Sequence, residues 1–312
     1  MKNIPASNLK AVLLAILVTF LWSTSFILIK WGLAEIPPLT FAGLRYFIAF
    51  LCLLPFAFRK QNISELKKLN NKLVLKLILL GLLFYSFTQG AQFLGLYFLP
   101  AVTVSLLLNL TPIIVAVLAI FMISETPSFI QWAGILLFLA GIIIYFYPVM
   151  ISENEMLGII VMIIGVLANA MSAILGRDIN RSKKITPYTV TLISMGVGSI
   201  ILLFVGILTQ GLPLLSMKNI LYLIWLAVVN TALAFTIWNF TLRSLTAMES
   251  SIINGTMLIQ IAILAYFFLG EEISFKEGIG LFVAGGGAIL VQLKFKGKRK
   301  PSRSFLAQKQ LK

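Results

Sequence analysis

The stretch "AIFMISETPSF", residues 119–129, ends a long apolar run with a glutamate, and "AYFFLGEEISF", residues 265–275, does the same 146 positions later. Between residues 99–141 and 245–287, 13 of 43 positions are identical without a gap. The identities include Glu125/Glu271, two serines and paired glycines, which shared apolar composition alone does not explain. The chain is therefore predicted to be a tandem duplication of one unit of about 146 residues.

The bulk composition is that of a membrane protein. The 312 residues are 60% hydrophobic and only 11% charged, and the mean hydropathy is +1.01, whereas soluble domains keep about a quarter of their residues charged. The apolar runs are continuous, which excludes transmembrane β-strands, and each is long enough to cross the roughly 30 Å of hydrocarbon. The sequence predicts an all-α polytopic protein with ten transmembrane helices, at 11–31, 39–58, 73–97, 102–123, 128–148, 157–177, 188–209, 219–242, 247–269 and 277–294.

The number of helices in each unit determines the predicted topology. Five is odd, so the second unit must enter the membrane upside down relative to the first. Inverted repeats of this kind are typical of secondary transporters, which hold their substrate near the midplane between the halves. The predicted divisions are a first repeat at 1–148 (helices 1–5), an inverted repeat at 149–294 (helices 6–10) and a basic tail at 295–312.

The net charge of +15 follows the same topology. With the N-terminus inside, 21 of the 25 lysines and arginines fall on the cytoplasmic side. This positive-inside pattern predicts a multi-pass protein of the cytoplasmic membrane with both termini in the cytoplasm. The tail "KFKGKRKPSR" is interpreted as a topology anchor that contacts anionic lipids, and nucleic-acid binding is not expected.

Paired glycines indicate how two of the helices pack. Gly134 and Gly141 are seven residues apart on predicted helix 5, and Gly280 and Gly287 repeat the spacing on helix 10. Small residues on one face let helix backbones approach closely in lipid, where hydrophobicity gives no drive for helices to meet. The spacing predicts a packing role for both helices.

Three stretches carry a family resemblance: "FAGLRYFIAFLCLLP" (41–55), "LNLTPIIVAVLAIFMISETPSFIQWAGILLFLAGI" (108–142) and "LIQIAILAYFFLGEEISFKEGIGLFVAGGGAIL" (258–290). They resemble the EamA-type members of the drug/metabolite transporter superfamily, over nearly the whole chain. The resemblance implies a basket-shaped inner-membrane carrier of ten helices, often an exporter of amino acids or related metabolites. It also implies a cavity lined mainly by helices 1, 3, 4, 6, 8 and 9, and architectural roles for Arg45, Pro112, Glu125 and Glu271.

Polar and indole side chains near mid-membrane indicate a cavity independently, because such groups must face protein or water. They cluster on the same six helices, with Tyr85, Gln89 and Gln92 spaced i, i+4, i+7 on one predicted face. For a single amide the alternative is an interhelical hydrogen bond, worth about 1 kcal/mol or less. Pro112 is expected to remove one backbone hydrogen bond and to free the carbonyl of Leu108, which is interpreted as a hinge, a ligand contact or a static kink. The predicted substrate-binding residues are Trp22, Ser23, Tyr85, Gln89, Gln92, Asn109, Asn169, Asn230, Trp238, Asn254 and Gln260.

Charges at the helix ends give a second hypothesis, of two ion-pair gates that open alternately. At the outer face, Lys30 and Arg45 would form ion pairs with glutamates. At the inner face, Arg177 would form an ion pair with a glutamate. The alternative is that these long side chains snorkel to the interface. The acidic gate candidates are Glu271 and Glu272 outside and Glu125 inside.

The residue types that are absent from the sequence exclude some classes of function. The chain has no histidine, and no carboxylate lies deep in a predicted helix, so no catalytic residue, metal site or cofactor is expected and an enzyme is rejected. The predicted function is a secondary transporter or exporter of a small neutral or zwitterionic metabolite, such as an amino acid, by alternating access. The alternatives are a non-transporting receptor or scaffold protein, and a carrier for a drug-like cation or a sugar derivative. Coupling through an end-of-helix glutamate and simple facilitation both remain open, as does the oligomeric state.

Overall fold

The computed structural model describes residues 6–58, 64–66, 69–123, 128–147, 152–181, 185–241, 245 and 253–292. Nearly all of these residues are helical, and none of them forms a β-strand. Within these ranges, seven helices are long and apolar enough to cross a membrane. Shorter apolar helices cover Ala101–Val115 and Ile253–Leu269. The chain is an all-α multi-pass membrane protein.

The helices are numbered here in chain order, and α3 and α9 each contain a π-helical segment. Their bounds are α1 Ala6–Gly32, α2 Pro38–Ala57, α3 Asn71–Phe98 (π at Leu82–Thr88), α4 Ala101–Leu108, α5 Thr111–Ile123, α6 Phe129–Phe146, α7 Glu153–Arg181, α8 Pro187–Gln210, α9 Met217–Ala227 continued by Val228–Leu233 (π) and Ala234–Thr241, α10 Met257–Leu269 and α11 Phe275–Gln292.

The outer surface of the bundle is apolar. Leu136, Phe204, Leu208, Phe267 and Phe282 are each more than 60% exposed. A soluble monomer rarely exposes so many large apolar side chains together. This surface is therefore suited to contact with the hydrocarbon core of a membrane.

Helices α6 and α11 pack through the four glycines that the sequence singled out. A Cβ atom on Gly134 would lie 2.9 Å from the carbonyl oxygen of Gly287, and one on Gly280 would lie 2.8 Å from that of Gly141. Real Cβ atoms do not approach backbone atoms so closely. The predicted packing role of these glycines is confirmed.

Helices α2 and α8 form a second close pair. A Cβ atom on Gly43 would meet the backbone nitrogen of Leu203 at 2.7 Å, and one on Gly206 would meet that of Thr40 at 2.6 Å. The side chain of Gln210 accepts the backbone N–H of Leu39 at 2.8 Å, where α2 begins and α8 ends. Of these four helices, α2 also contributes polar side chains, Arg45 and Tyr46, to the cavity described below.

Element bounds recur along the chain at a spacing of 146 residues. Asn71–Gly81 corresponds in this way to Met217–Ala227, Thr111–Ile123 to Met257–Leu269, and Phe129–Phe146 to Phe275–Gln292. The two π-helical segments begin at Leu82 and Val228, again 146 residues apart. The same local structure therefore forms in both halves of the sequence.

The described spans differ from the predicted ones mainly in continuity. The predicted run 102–123 is two helices, because the chain turns at Asn109 and Leu110 between α4 and α5. In the predicted run 247–269 the described part begins at residue 253 and turns at Thr256 before α10. Hydropathy alone does not register such breaks, since the residues on either side are equally apolar.

Three glutamates accept hydrogen bonds at the N-termini of helices that are remote in the sequence. Glu35 accepts hydrogen bonds from the Ser216 hydroxyl (3.1 Å) and the Asn219 amide (2.6 Å) at the start of α9. Glu271 accepts the backbone N–H groups of Ala101 (2.6 Å) and Val102 (3.2 Å) at the start of α4. A carboxylate satisfies the free N–H groups of a helix start and is favoured by the helix dipole.

Glu65 is the third of these glutamates and lies at the start of α8. It accepts the Thr186 backbone N–H (3.1 Å) and hydroxyl (2.9 Å) and the Thr189 hydroxyl (2.7 Å). Desolvation raises the pKa of Glu65, but the three hydrogen bonds together outweigh it and hold the pKa below its ordinary value of 4.5. Because the folded-state pKa is depressed, the stabilisation is present above the unfolded-state pKa and is lost as pH falls through the folded-state pKa.

The stability of the wild type is therefore expected to fall on acidification below about pH 4.5, and Glu65→Gln should remove part of that dependence. The measurement is the thermal unfolding midpoint in detergent between pH 3 and pH 7. Glu272→Gln is the control, because Glu272 has no hydrogen-bond partner among the described residues. Equal pH profiles for wild type and Glu65→Gln would show that this cap does not stabilise the fold.

Candidate functional site

A cavity of about 330 Å³ lies at the centre of the bundle, between α1, α2, α3, α4, α5, α7, α9 and the start of α10. Its size is at the lower end of the range for small-molecule sites. Its wall is a mixture of aromatic rings, amides and hydroxyls. Six of the eleven predicted substrate-binding residues line it: Trp22, Gln89, Gln92, Asn109, Asn169 and Asn254.

Both helix breaks open onto this cavity. Asn109 and Thr111 flank the turn between α4 and α5, and Asn254, Gly255 and Met257 surround the turn before α10. Interrupted helices at mid-membrane are tolerated where they line a cavity, and they commonly build the substrate sites of transporters. The breaks therefore belong to the site and not to the scaffold.

Pro112 lies in the cavity wall, in the first turn of α5. The expectation that it removes a hydrogen bond from inside a helix and frees the Leu108 carbonyl is wrong, since the helix has already ended before it. In the first turn the missing N–H has no intrahelical acceptor to lose. Pro112 instead begins the second half of an interrupted span.

The π-helical segment of α3 changes which residues face the cavity. Gln89 and Gln92 line it together with Phe84, whereas Tyr85 is 4% exposed and packs edge-on against the ring of Tyr46. In a π-helix the residue beneath position i is i−5 and not i−4, so Phe84 lies beneath Gln89. The predicted i, i+4, i+7 face that included Tyr85 is wrong for this reason.

The amides on the wall differ in how they are satisfied. Asn169 donates to the Thr111 hydroxyl at 3.1 Å, and Gln89 accepts the Tyr46 hydroxyl at 2.6 Å. Among the described residues, the side chains of Gln92 and Asn254 have no hydrogen-bond partner. These two amides are the ones free to bind a solute.

Two predicted cavity residues lie behind the wall, between α1 and α10. Ser23 is fully buried and donates to the Gln260 side chain at 3.0 Å. The Gln260 amide in turn donates to Thr19 (3.2 Å) and Thr256 (3.0 Å). Ser23 and Gln260 therefore form an interhelical hydrogen bond, which was the alternative to a position on the cavity wall.

Asn230 and Trp238 on α9 also support the wall from behind. Asn230 is fully buried and donates to Ser25 (2.9 Å), Thr24 (3.1 Å) and the carbonyl oxygen of Leu21. The Trp238 ring lies 5.2 Å from the ring of Trp22, centroid to centroid. Both residues therefore hold α1 in position against α9. Trp22 and Ser25 of α1 line the cavity.

Arg45, which the sequence assigned to an outer gate, lies in the wall of the cavity. It is about two turns into α2 and is 4% exposed. Its Nε donates to Thr231 at 3.1 Å and one terminal nitrogen to Ser25 at 3.4 Å. The guanidinium also lies over the Tyr46 ring at 5.2 Å. Its position within an apolar helix was the available signal.

The outer gate pairs do not form in this conformation. Among the described residues, neither Lys30 nor Arg45 has a carboxylate within ion-pair distance, and Glu271 caps α4 instead. Glu272 is exposed. At the inner face, Arg177 lies within α7 and Glu125 falls outside the described residues. The gate hypothesis therefore stays a prediction about another state of the protein.

No group of three histidine, cysteine or carboxylate side chains that could hold a metal ion occurs in the described ranges. The described wall of the cavity presents aromatic and aliphatic side chains, neutral hydrogen-bonding groups and one guanidinium to a solute. This arrangement is suited to binding without covalent chemistry.

Comparisons with known proteins agree with a transport role. The EamA-like transporter family matches residues 9–147 and 156–293. An uncharacterized transporter of Archaeoglobus fulgidus is 25% identical over 92% of this chain and 99% of its own length. A probable amino-acid metabolite efflux pump of Escherichia coli K12 is 30% identical over 72% of this chain and 75% of its own length. One solved crystal structure shares the fold, with a TM-score of 0.63 and 16% identity over 90% of this chain and 97% of that one.

Proposed function

This chain belongs to the EamA-like transporter family, and from that premise we propose that it exports a small neutral or zwitterionic metabolite, an amino acid or a related compound, by alternating access. Its family makes it a membrane transporter and not an enzyme. The observation that carries the substrate class is the central cavity, whose wall combines amides, hydroxyls and aromatic rings. Two relatives, from Escherichia coli and Salmonella typhimurium, are probable amino-acid metabolite efflux pumps, which supports the same class.

For the architecture we propose ten spans in two inverted repeats, residues 1–148 and 149–294. The family matches the chain in two separate segments that divide it at nearly the same point. The recurrence of helix bounds, π-helical segments and helix breaks in the two halves supports the duplication. An odd number of spans in each unit inverts the second unit and brings the two breaks together at mid-membrane.

The proposed location is the cytoplasmic membrane, with both termini in the cytoplasm. The support is the charge distribution, in which the lysines and arginines concentrate on one predicted face. The basic tail at 295–312 would then meet the anionic lipids of that leaflet. Binding of nucleic acid is not part of the proposal.

The test is a flux screen with the purified protein in proteoliposomes, with and without a pH gradient. We expect uptake or counterflow of an amino acid or a related metabolite above that of empty liposomes. Gln92→Leu is the loss-of-function control, because Gln92 lines the cavity without a partner among the described residues and its removal should spare the fold. Dependence of flux on the pH gradient would distinguish proton coupling from facilitation.

The rival functions predict other results in the same screen. A non-transporting receptor or scaffold protein would move no solute, although it would remain folded and able to bind one. A carrier of another class would move a drug-like cation or a sugar derivative in preference to amino acids. Either result would overturn the proposed substrate class.

A further inference from the structure

Arg45 is the one charged residue in the described wall of the cavity. The remaining lining residues are aromatic, aliphatic, amide or hydroxyl side chains and one glycine. Within the described part of the wall, the positive charge of Arg45 therefore has no acidic counterpart.

No described acidic residue neutralises that charge. Glu35, Glu65 and Glu271 accept hydrogen bonds at remote helix starts, Glu155 and Glu277 bond to serines of their own helix starts, and Asp178 pairs with Lys76. Glu153 and Glu272 are exposed and do not line the cavity. An unpaired buried charge is expensive to maintain, and within a membrane it is a functional-site hypothesis by default. Structural anchoring alone would be achieved more cheaply by a neutral side chain.

The hydrogen bonds of Arg45 leave part of the guanidinium unused. Of its five N–H groups, two are directed to the hydroxyl oxygens of Thr231 and Ser25. The others have no protein acceptor among the described residues. A guanidinium in this condition matches a carboxylate, which accepts two parallel hydrogen bonds and supplies the missing charge.

We propose that Arg45 is the carboxylate anchor of the cavity and determines that the transported solute is a carboxylic acid. The inference rests on the proposed transport function and changes its substrate class to carboxylates, which include anionic N-acyl acids as well as zwitterionic amino acids. Because no described lining residue is acidic, the described wall has no counter-charge for an ammonium group. A free amine therefore contributes little to binding, and an N-acylated acid is accepted at least as well as the amino acid itself. The aromatic part of the wall, Trp22, Phe84 and Phe235, receives the apolar body of the solute.

The experiment uses matched triplets of probe solutes on the full-length protein in nanodiscs and in proteoliposomes. Each triplet contains an amino acid, its N-acetyl derivative and its amide, built on leucine, phenylalanine and threonine. Binding is followed through tryptophan fluorescence, since Trp22 lines the cavity, and transport through counterflow. Within every triplet that interacts, the two acids should bind about 10- to 100-fold more tightly than the amide, as expected for hydrogen bonds to a charged group.

Variants test whether Arg45 is responsible. Arg45→Gln should lose the discrimination between acid and amide, whereas Arg45→Lys should keep the preference for acids because it keeps the charge. Gln89→Glu places a carboxylate on the same wall while retaining an acceptor for the Tyr46 hydroxyl. It should weaken binding of the N-acetyl acid most and improve binding of the amide. Gln210→Glu makes the same chemical change outside the cavity and should leave the order of affinities unchanged.

The outcomes separate this inference from the proposed function. If the screen finds a transported solute without a carboxylate, or an amide that binds as tightly as its acid, transport stands and the role of Arg45 is overturned. The role is also overturned if folded Arg45→Gln still prefers acids. If Arg45→Gln does not fold, Gln89→Glu decides alone, and unchanged affinities there overturn the inference. If no solute of any class moves, the proposed function fails together with it.

Discussion

Gly141→Leu is expected to destabilise the protein by more than about 3 kcal/mol, enough to prevent recovery of a monodisperse folded protein. A Cβ atom at Gly141 would lie 2.7 Å from the carbonyl oxygen of Gly280 and still closer to the backbone nitrogen of Ala284. Backbone atoms of a packed helix cannot rotate away as a flexible side chain does. In lipid the loss is not offset by hydrophobic association, because helices there are held together by close packing.

Gly278→Leu is the matched control for this prediction, since it makes the same substitution on α11 where no atom lies within 4 Å of the added Cβ. It should be neutral or slightly stabilising, because leucine has the higher helix propensity. Both variants are compared by size-exclusion profile and thermal unfolding midpoint in detergent. A Gly141→Leu protein as stable as Gly278→Leu would show that α6 and α11 are not in backbone contact.

These glycines were predictable because the information is local. Residues seven apart lie on one face of a helix whatever surrounds it, and the spacing recurs in the second half of the chain at Gly280 and Gly287. The same reasoning identified Gln89 and Gln92, which line the cavity. It failed at Tyr85, because the sequence gives no sign that residues 82–88 adopt π geometry.

Arg45 and Ser23 show a second limit of sequence reasoning. The amino-acid sequence gives the approximate position of a residue along its own helix. It does not give the direction in which the side chain points relative to the neighbouring helices. Arg45 was expected in an ion-pair gate on the outer half of the membrane and instead lines the cavity. Ser23 was expected on the cavity wall and instead bonds to Gln260 behind it. Both outcomes depend on how neighbouring helices rotate against each other, which is a property of tertiary packing.

The repeated glutamate illustrates the third limit, which concerns partners. The sequence identified Glu271 as significant, and ion pairing with Lys30 or Arg45 was the available interpretation. Its partners in the structure are the backbone N–H groups of Ala101 and Val102, about 170 residues away in the chain. Backbone N–H groups are present in nearly every residue type. This pairing was therefore not predictable from residue types.

Glu271→Gln is accordingly expected to lower the free energy of unfolding by about 1–2 kcal/mol, which is the usual loss when a helix start loses its cap and its favourable interaction with the dipole. Glutamine keeps one acceptor oxygen but not the charge or the second oxygen, so one of the two N–H groups loses its acceptor. Glu272→Gln changes the adjacent residue in the same way and should leave stability unchanged, because Glu272 is exposed and has no described partner. Thermal unfolding of the two variants in one detergent gives the comparison.

The same variants decide between a cap and a gate. If Glu271 acts only as a cap, flux per folded molecule should equal that of the wild type, and only the unfolding midpoint should fall. If Glu271 also forms an outer gate in another state, flux should change at temperatures where the variant is fully folded. Glu125→Gln extends the test to the inner face. Wild-type flux in both Glu125→Gln and Glu271→Gln would eliminate the gates and leave the repeated carboxylate a purely structural role.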